Sequence, residues 1–330
     1  MAFLSIFLLA ALPALIFCIP LMTEPYALLD PQTLNQFENQ SGRTPSWCNM
    51  GWWENTKSFS AAAEALSKKL LGLAKEGGYQ GGGRVLVLHL SQVTPPNHLH
   101  GLTSLASDTA KAKALVGNFY PNSSTHLDFF TFSAQFRPGK DIGHPLDPNG
   151  GYLKEHIHQQ VSDRMLYDDK HTGRCIYNAD PEHIKKSPYN LVYILDSIYH
   201  YPPSLMMFLD SLRPILSPSG LVVYTDLLPP QNISSLVARV LSYLFAVPLP
   251  NLIERPASIE EYRATLEKHG WKNVVVEDWS DNIWAGFSTH LKQSGGAWPL
   301  VGSVVRRAEK GGWRFIGVRV EHQEDVSDTP

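Results

Sequence analysis

Short apolar runs alternate along the chain with stretches whose apolar residues recur at helical spacing. The apolar runs cover residues 84–90, 190–195, 221–225 and 274–277. Runs of this kind are typical of strands that are buried on both faces of a parallel sheet. The stretches of helical period cover residues 58–75, 107–116, 204–216 and 258–269. They predict helices that connect the strands.

The ends of two predicted helices carry recognisable signals. Gly77 and Gly78 end the first helix, and Ser258 with Glu261 three residues later forms a capping box at the start of the last. Residues 313–320 alternate between apolar and polar side chains, which predicts a late edge strand. Because strands and helices alternate, we expect an α/β fold with a doubly wound, Rossmann-like, mainly parallel sheet.

The first 22 residues differ from the rest of the chain because residues 2–22 carry no charge. About twenty apolar residues suffice for one membrane-spanning helix. We favour a retained N-terminal hydrophobic helix as membrane anchor, although Pro13 would kink it. A cleaved signal peptide is the main alternative, but no Lys or Arg precedes the apolar region, and the residues before Pro20 make a poor cleavage site. A buried helix of a soluble protein is the third possibility.

The remaining chain divides into three parts. Residues 23–50 are polar and aperiodic and predict a linker, residues 51–322 form the predicted domain, and residues 323–330 a disordered tail. Within the domain, residues 121–172 are rich in Pro, Gly, His and Asp, which predicts an insertion. Residues 233–250 are strongly apolar, and they predict a lid over a hydrophobic ligand, a helix on a membrane surface or a buried core helix.

Composition narrows the functional classes. Charged residues make up 18% of the chain, which disfavours a disordered protein. The chain has 28 Lys and Arg against 31 Asp and Glu, so it lacks the basic surplus that a nucleic-acid-binding protein needs. The three cysteines form neither a disulfide scaffold nor a CxxC zinc motif. The pairs His98-x-His100 and His156-x-His158 lie in predicted loops without further ligands at suitable spacing, so we expect no metal site.

In a doubly wound sheet, ligands bind beyond the carboxyl ends of the strands. This rule selects candidate positions by their place in the sequence alone. The selected positions follow the apolar runs, and they are residues 89–92, Thr103, Asp180, residues 196–200 and Asp226.

Several segments between Asn49 and Val320 resemble motifs of one family, and the last three of them keep the family's order and spacing. Met50-Gly-Trp-Trp-Glu54 resembles a "GYWE" signature, and the segment from Tyr189 to Pro202 is similar to "FDLVxxxDxxYHF". The segment from Leu212 to Asp226 resembles "RVLRPGGRLVLTD", and residues 262–287 resemble "LxxAGFxxVxxEDIS…GF". The family is that of the class I S-adenosylmethionine-dependent methyltransferases acting on small molecules.

The resemblance implies a cofactor, an activity and a set of site residues. The cofactor is S-adenosylmethionine, and the activity is methyl transfer to a small molecule. The anchor and the apolar residues 233–250 favour a lipophilic one. His200 would be the catalytic base, and the predicted cofactor contacts are Trp52, Trp53, His89, Ser91, Thr103, Asp180 and Asp196. Each has a structural alternative, such as core packing for the tryptophans, packing or hydrogen bonding for His200, and a helix N-cap for Asp180 before Pro181.

The chain departs from the family pattern in the half that holds the cofactor. His89 and Ser91 replace glycines of the glycine-rich turn, Val87 replaces its Asp, and Thr103 or Ser104 replaces the acid after the second strand. Glycines there let the backbone approach the cofactor, and the acid binds the ribose hydroxyls. Two hypotheses follow: a membrane-anchored methyltransferase whose body faces the cytosol, where the methyl donor is made, or a methyltransferase-fold binding or scaffold protein that has lost the cofactor.

Overall fold

A computed structural model of the chain describes a little over half of its residues. They are residues 34–35, 47, 49–87, 98–103, 106, 109–110, 112–114, 126–132, 189–201, 204–231, 233, 239, 250–256 and 258–322.

Seven strands form one sheet in the order β3-β2-β1-β4-β5-β7-β6. The first five in this order are parallel, and β7 is antiparallel to both β5 and β6. The strands are β1 (Arg84–Val87), β2 (His98–Thr103), β3 (His126–Thr131), β4 (Tyr189–Ile194), β5 (Leu216–Leu228), β6 (Lys272–Asp278) and β7 (Arg314–Glu321).

Helices cover both faces of the sheet, as the apolar runs predict. They are α1 (Phe59–Glu76), α2 (Leu205–Leu212), α3 (Pro250–Ile253), α4 (Ile259–Lys268), α5 (Ser280–Gln293) and α6 (Trp298–Lys310). Helices α2 and α4 share one apolar core with one face of the sheet, while α1 and α5 pack on the other face. The doubly wound, mainly parallel α/β sheet is therefore confirmed.

The predicted helix ends are confirmed in detail. The Ser58 side chain accepts a hydrogen bond from the Ala61 amide at the start of α1, and the Gly77 amide closes its end. The Ser258 side chain accepts a hydrogen bond from the Glu261 amide at the start of α4. The serine caps satisfy amides that have no partner inside the helix, and the Gly77 amide donates to the Leu73 carbonyl at the end of α1.

The prediction of a late edge strand is wrong. Strand β7 lies between β5 and β6, so it is an interior strand of the sheet. Its polar-looking face is covered, because the Trp279 ring lies where a Cβ on Gly317 would stand, and Arg319 donates to the Leu73 carbonyl of α1. The alternation of apolar and polar residues therefore reflects a tryptophan and a helix packed on that face rather than solvent.

Two segments predicted to be irregular contribute strands. Strand β3 lies inside the predicted insertion 121–172 and pairs with β2. The His98-x-His100 pair belongs to β2 rather than to a loop, and His100 is only 1% exposed. The Nδ1 atom of His100 lies 2.8 Å from the Tyr189 hydroxyl. Because the buried His100 ring has a hydrogen-bond partner, this polar-looking sequence can form a buried strand.

Part of the predicted linker packs on the domain. Leu34 is buried against Phe59, Leu291 and Trp298, and its carbonyl accepts a hydrogen bond from His290 Nε2. The apolar leader, residues 2–22, lies outside the described residues, as do nearly all of residues 233–249 and the tail 323–330. Among the helices that the structure describes, none has both the length and the apolar character needed to cross a bilayer.

Candidate functional site

The direction of chain winding reverses between two neighbouring strands, β1 and β4. From β1 the chain proceeds outward to β2 and β3, and it then returns to place β4 on the other side of β1. Val87 at the end of β1 is in register with Gly101 of β2 and Tyr193 of β4. The carboxyl ends of these three strands therefore lie side by side, at the point where doubly wound sheets bind ligands.

Asp196 lies just beyond β4 at this reversal point. Its φ of 55° is in the left-handed region, and its backbone amide donates to the Thr225 hydroxyl of β5. The carboxylate accepts hydrogen bonds from the Met50 amide (2.8 Å) and the Tyr199 hydroxyl (2.9 Å). Asp196 therefore joins the N-terminal segment Asn49–Trp53 to the ends of β4 and β5.

Burial raises the pKa of Asp196 to about 6, and the hydrogen bonds from Tyr199 and Met50 oppose this shift only in part. The cause is desolvation, which disfavours the charged form of a carboxyl. A buried carboxyl whose pKa is shifted towards neutrality, at the ligand edge of a doubly wound sheet, is a candidate functional group.

The raised pKa predicts an unusual pH dependence of stability. The folded pKa of Asp196 lies above its unfolded value near 4, so the protonated form stabilises the fold and this contribution is lost as the pH rises from about 4 to about 6. An Asp196→Asn variant stays neutral and can still bridge Met50 and Tyr199. We expect wild type to lose about 3 kcal/mol relative to the variant over this pH range. Urea unfolding from pH 4 to 7.5 measures this, and parallel curves would contradict the assignment.

The Asn49–Trp53 segment lies against α1 and α5. The Trp52 amide donates to the Ala62 carbonyl, and the Trp52 ring makes an edge contact with Trp279. The Trp53 indole N–H donates to the Met50 carbonyl, and its ring packs on Phe59. Both tryptophans thus have packing contacts, and a cofactor contact by either ring stays a prediction.

His200 lies in a 3₁₀ turn after Asp196, with its ring 4.5 Å from that of Tyr199. Asn251 of α3 holds this loop, because its side chain donates to the carbonyls of Tyr199 and Tyr201 and accepts from the Leu205 amide. The loop that carries His200 is therefore fixed from both sides. The role of His200 as a base stays a prediction.

The other predicted cofactor contacts are only partly described. Thr103 ends β2 and is half-buried, and a contact between its hydroxyl and the cofactor stays a prediction. His89, Ser91 and Asp180 lie outside the described residues, and their roles stay predictions. Among the described residues, no group of three or more His, Cys, Asp or Glu side chains could hold a metal ion.

A second polar cluster lies at the carboxyl-terminal part of β5, and sequence analysis identified only one of its members. Asp226 is fully buried and forms an ion pair with Arg255, which is 2% exposed. The Tyr262 hydroxyl of α4 donates to Asp226 Oδ2 at 2.7 Å, and Tyr224 lies beside it. One feature of the sequence could have pointed to Arg255. It is the first basic residue after the uncharged stretch 240–253, and a charged side chain next to apolar sequence needs either a partner or contact with solvent.

Similarity to solved structures agrees with the strand order. The cyclopropane synthase MmaA2 from Mycobacterium tuberculosis superposes with a TM-score of 0.55 at 12% identity, covering 89% of this chain and 95% of the other. A geranyl diphosphate methyltransferase, solved with geranyl diphosphate and sinefungin, superposes with a TM-score of 0.54 at 9% identity, covering 89% and 94%. The chain has the class I methyltransferase fold. No protein-family model and no curated protein sequence matches it.

The methyltransferase fold is not tied to one reaction. The [4+2]-cyclase SpnF superposes with a TM-score of 0.54 at 13% identity, covering 92% of this chain and 95% of the cyclase. At this level of identity the likeness shows the fold, and function has to be argued from the site.

Proposed function

We propose that the chain binds S-adenosylmethionine and transfers its methyl group to a small, lipophilic acceptor. The observation that carries this proposal is the position of Asp196 at the reversal point between β1 and β4, where it joins the Asn49–Trp53 segment to the sheet. This connection places the Asn49–Trp53 segment at the edge where doubly wound sheets bind nucleotides, and we propose that the segment forms one wall of the ligand site.

S-adenosylmethionine supplies an electrophilic methyl group on a sulfonium, so S-adenosylhomocysteine leaves when the acceptor takes the methyl group. The protein has to hold the acceptor in line and exclude water. Thr103 would hold the ribose, Asp196 would keep the Asn49–Trp53 wall in place, and His200 would remove the acceptor's proton where the acceptor carries one.

The described residues fit this cofactor in part. The hydroxyl of Thr103 can hydrogen-bond a ribose hydroxyl, but it lacks the charge of the acid that the family has there. Each carboxylate oxygen of Asp196 already accepts a hydrogen bond from the protein, so Asp196 supports the wall more than it contacts a ligand. A site of this composition predicts weak cofactor binding.

Calorimetry tests the proposal directly. The full-length protein in detergent micelles is titrated with S-adenosylhomocysteine and S-adenosylmethionine. We expect a dissociation constant in the micromolar to millimolar range, and the absence of binding at millimolar ligand would contradict the proposal.

Placing an acidic residue at position 103, where the family has one, should strengthen cofactor binding. Thr103→Asp provides a carboxylate for both ribose hydroxyls, and charge-assisted hydrogen bonds are about twice as strong as neutral ones. We expect the affinity for S-adenosylhomocysteine to rise about tenfold, which corresponds to about 1.4 kcal/mol. Thr131→Asp is the matched control, because Thr131 ends the neighbouring strand β3 opposite Thr103. An equal effect of both variants would show a general charge effect and remove Thr103 from the site.

A non-catalytic binding or scaffold protein is the second candidate. The neutral Thr103 and the internally bonded Asp196 favour it, because both are weak cofactor contacts. The same titration distinguishes the two candidates.

We also propose that residues 2–22 anchor the protein in an endomembrane, with the body in the cytosol where the methyl donor is made. The support is the uncharged length of this segment, which matches a bilayer. Carbonate extraction of cell membranes tests the anchor. The protein should stay in the membrane pellet, and its release would exclude the anchor.

A further inference from the structure

Helix α6 exposes apolar side chains on the face that points away from the protein. Leu300 is 74% exposed, and Val304, one turn later, is 40% exposed. Trp298 and Gly302 are buried on the opposite side of the helix, where the Ser288 hydroxyl of α5 donates to the Gly302 carbonyl at 2.8 Å. Large apolar side chains that are exposed one turn apart on a helix are typical of a surface that contacts a partner or a membrane.

Basic side chains border this apolar pair. Arg307 lies on the same face of α6, and Lys310 follows one turn later at the end of the helix. Lys292 near the end of α5 adds a third positive charge beside α6. All three side chains are exposed and form no ion pair among the described residues, whereas Arg306 pairs with Glu309. Exposed apolar side chains bordered by unpaired basic ones are the chemistry of a helix that lies on an anionic lipid surface.

The uncharged leader joins the protein close to this surface. Leu34 is buried against Leu291 and Trp298, where α5 ends and α6 begins. Only residues 23–33 separate this fixed point from the leader, and they span no more than about 40 Å. A compact domain of this size is about 50 Å across. A leader inserted in a bilayer therefore keeps the side of the protein that carries α5 and α6 near the membrane.

A second copy of the chain fits this surface less well than a membrane does. A stable protein interface buries about 800 Å² on each partner and involves roughly 20–30 residues a side. The exposed apolar part of α6 consists of two large side chains. Two copies would also bring like charges together at Arg307 and Lys310, which costs free energy.

We propose that the α6 face, formed by Leu300, Val304, Arg307 and Lys310, rests on an anionic membrane surface. The two apolar side chains enter the boundary between headgroups and acyl chains, and the two basic side chains pair with anionic headgroups. This inference rests on the proposed anchor, because the leader is what holds this side of the protein near the bilayer.

This orientation brings the ligand edge of the sheet to the membrane. Arg314 begins β7 and pairs with Leu228 near the carboxyl end of β5. Residues 311–313 alone connect Arg314 to the end of α6, so that end of the helix lies at the ligand edge. A lipophilic acceptor dissolved in the bilayer then reaches this edge without crossing bulk water.

Photo-crosslinking to lipids tests the contact. The full-length protein with Leu300→p-benzoylphenylalanine is irradiated in vesicles of phosphatidylcholine with about 30% phosphatidylserine, and lipid adducts are measured by mass spectrometry. Met207→p-benzoylphenylalanine is the matched control, because Met207 is 57% exposed on α2, which packs on the other face of the sheet. We expect at least tenfold more lipid adduct at position 300 than at position 207. Equal yields, or crosslinks from position 300 to a second copy or to residues 2–22, would overturn the proposal.

The basic side chains are tested in the same crosslinking protein. Arg307→Gln with Lys310→Gln removes two charges and leaves the leader and position 300 unchanged. Because one basic side chain near an anionic membrane contributes about fivefold in affinity, we expect the adduct yield to fall at least fivefold with phosphatidylserine and to stay the same in pure phosphatidylcholine. Arg263→Gln with Lys268→Gln is the control, since both residues are exposed on α4 on the other face of the sheet. An equal fall in both double variants contradicts a contact through α6.

Carbonate extraction of parallel samples that are not irradiated separates this proposal from the anchor. If the protein stays in the membrane pellet and position 300 gives no lipid adduct, the anchor stands and the α6 contact is overturned. If carbonate releases the protein and position 300 still gives lipid adducts in anionic vesicles, the anchor is excluded and the α6 contact stands.

Discussion

Replacing Asp226 by asparagine is expected to lower the free energy of unfolding by about 4 kcal/mol. The asparagine keeps the shape of the side chain, and its amide oxygen can still accept the hydrogen bond from the Leu227 amide, but its Nδ2 replaces the oxygen that accepts from the Tyr262 hydroxyl. The charge of Arg255 then stays buried without its counter-charge. Breaking a buried ion pair in this way costs about 3–5 kcal/mol, because desolvation of the remaining charge is not compensated. Urea unfolding at pH 7, followed by circular dichroism, measures the loss.

A double variant distinguishes the effect of the buried charges on stability from the effect of side-chain packing. Arg255→Met with Asp226→Leu removes both charges and fills the site with apolar side chains, and such replacements are often neutral or stabilising. We expect the double variant to be more stable than either Asp226→Leu or Arg255→Met alone. If the double variant loses the sum of the single losses, the two residues act independently, and the description of the cluster as one ion pair is wrong.

Replacing Gly286 by alanine is expected to destabilise the protein by about 3 kcal/mol. Gly286 lies inside α5, and a Cβ there would overlap the Trp53 ring. The ring has little freedom to move, because its indole N–H donates to Met50 and the Trp53 amide donates to the Asn282 carbonyl. Overpacking of this kind costs about 1–3 kcal/mol and sometimes more, which exceeds the gain of about 1 kcal/mol in helix propensity.

Gly72→Ala is the matched control for this substitution. Gly72 lies inside α1, and a Cβ there would have no atom within 4 Å. Only the helix propensity changes, so we expect a gain of about 0.5–1 kcal/mol. Urea unfolding of both variants should therefore give changes of opposite sign. If Gly286→Ala were also stabilising, Trp53 would be free to move and the Asn49–Trp53 wall would be loosely held.

Local patterns predicted the elements whose environment is uniform along their length. The central residues of β1, β4 and β5 are buried on both faces, so residues 85–87, 191–194 and 221–224 are all apolar. The ends of α1 and α4 depend on serine and glycine at fixed offsets, and these signals are local. Strand β3 and the two histidines of β2 were missed because their polar residues resemble a loop. His100 is compatible with a strand because the hydroxyl of Tyr189, which is far away in the sequence, lies within hydrogen-bonding distance of its ring.

Some residues of the candidate site could likewise be predicted from the sequence, and others could not. Asp196, Thr103 and Asp226 could be selected from the sequence, because each lies near the end of an apolar run and the ends of parallel strands meet at one edge. Arg255 could not, because its importance comes from a partner on another element. The function of Asp196 as a support for the Met50 amide was equally hidden, since 146 residues separate the two.

The sequence by itself therefore determined the fold class, the direction of the ligand edge and the replacement of two cofactor motifs, all of which depend on residue type and local spacing. Only the tertiary structure decided that β7 is an interior strand, that Asp196 is buried and bonded to the N-terminal segment, and that Arg255 is paired with Asp226. The physical reason is that burial and hydrogen-bond partners depend on which distant segments come into contact. The periodicity of one segment does not indicate which other segments pack against it.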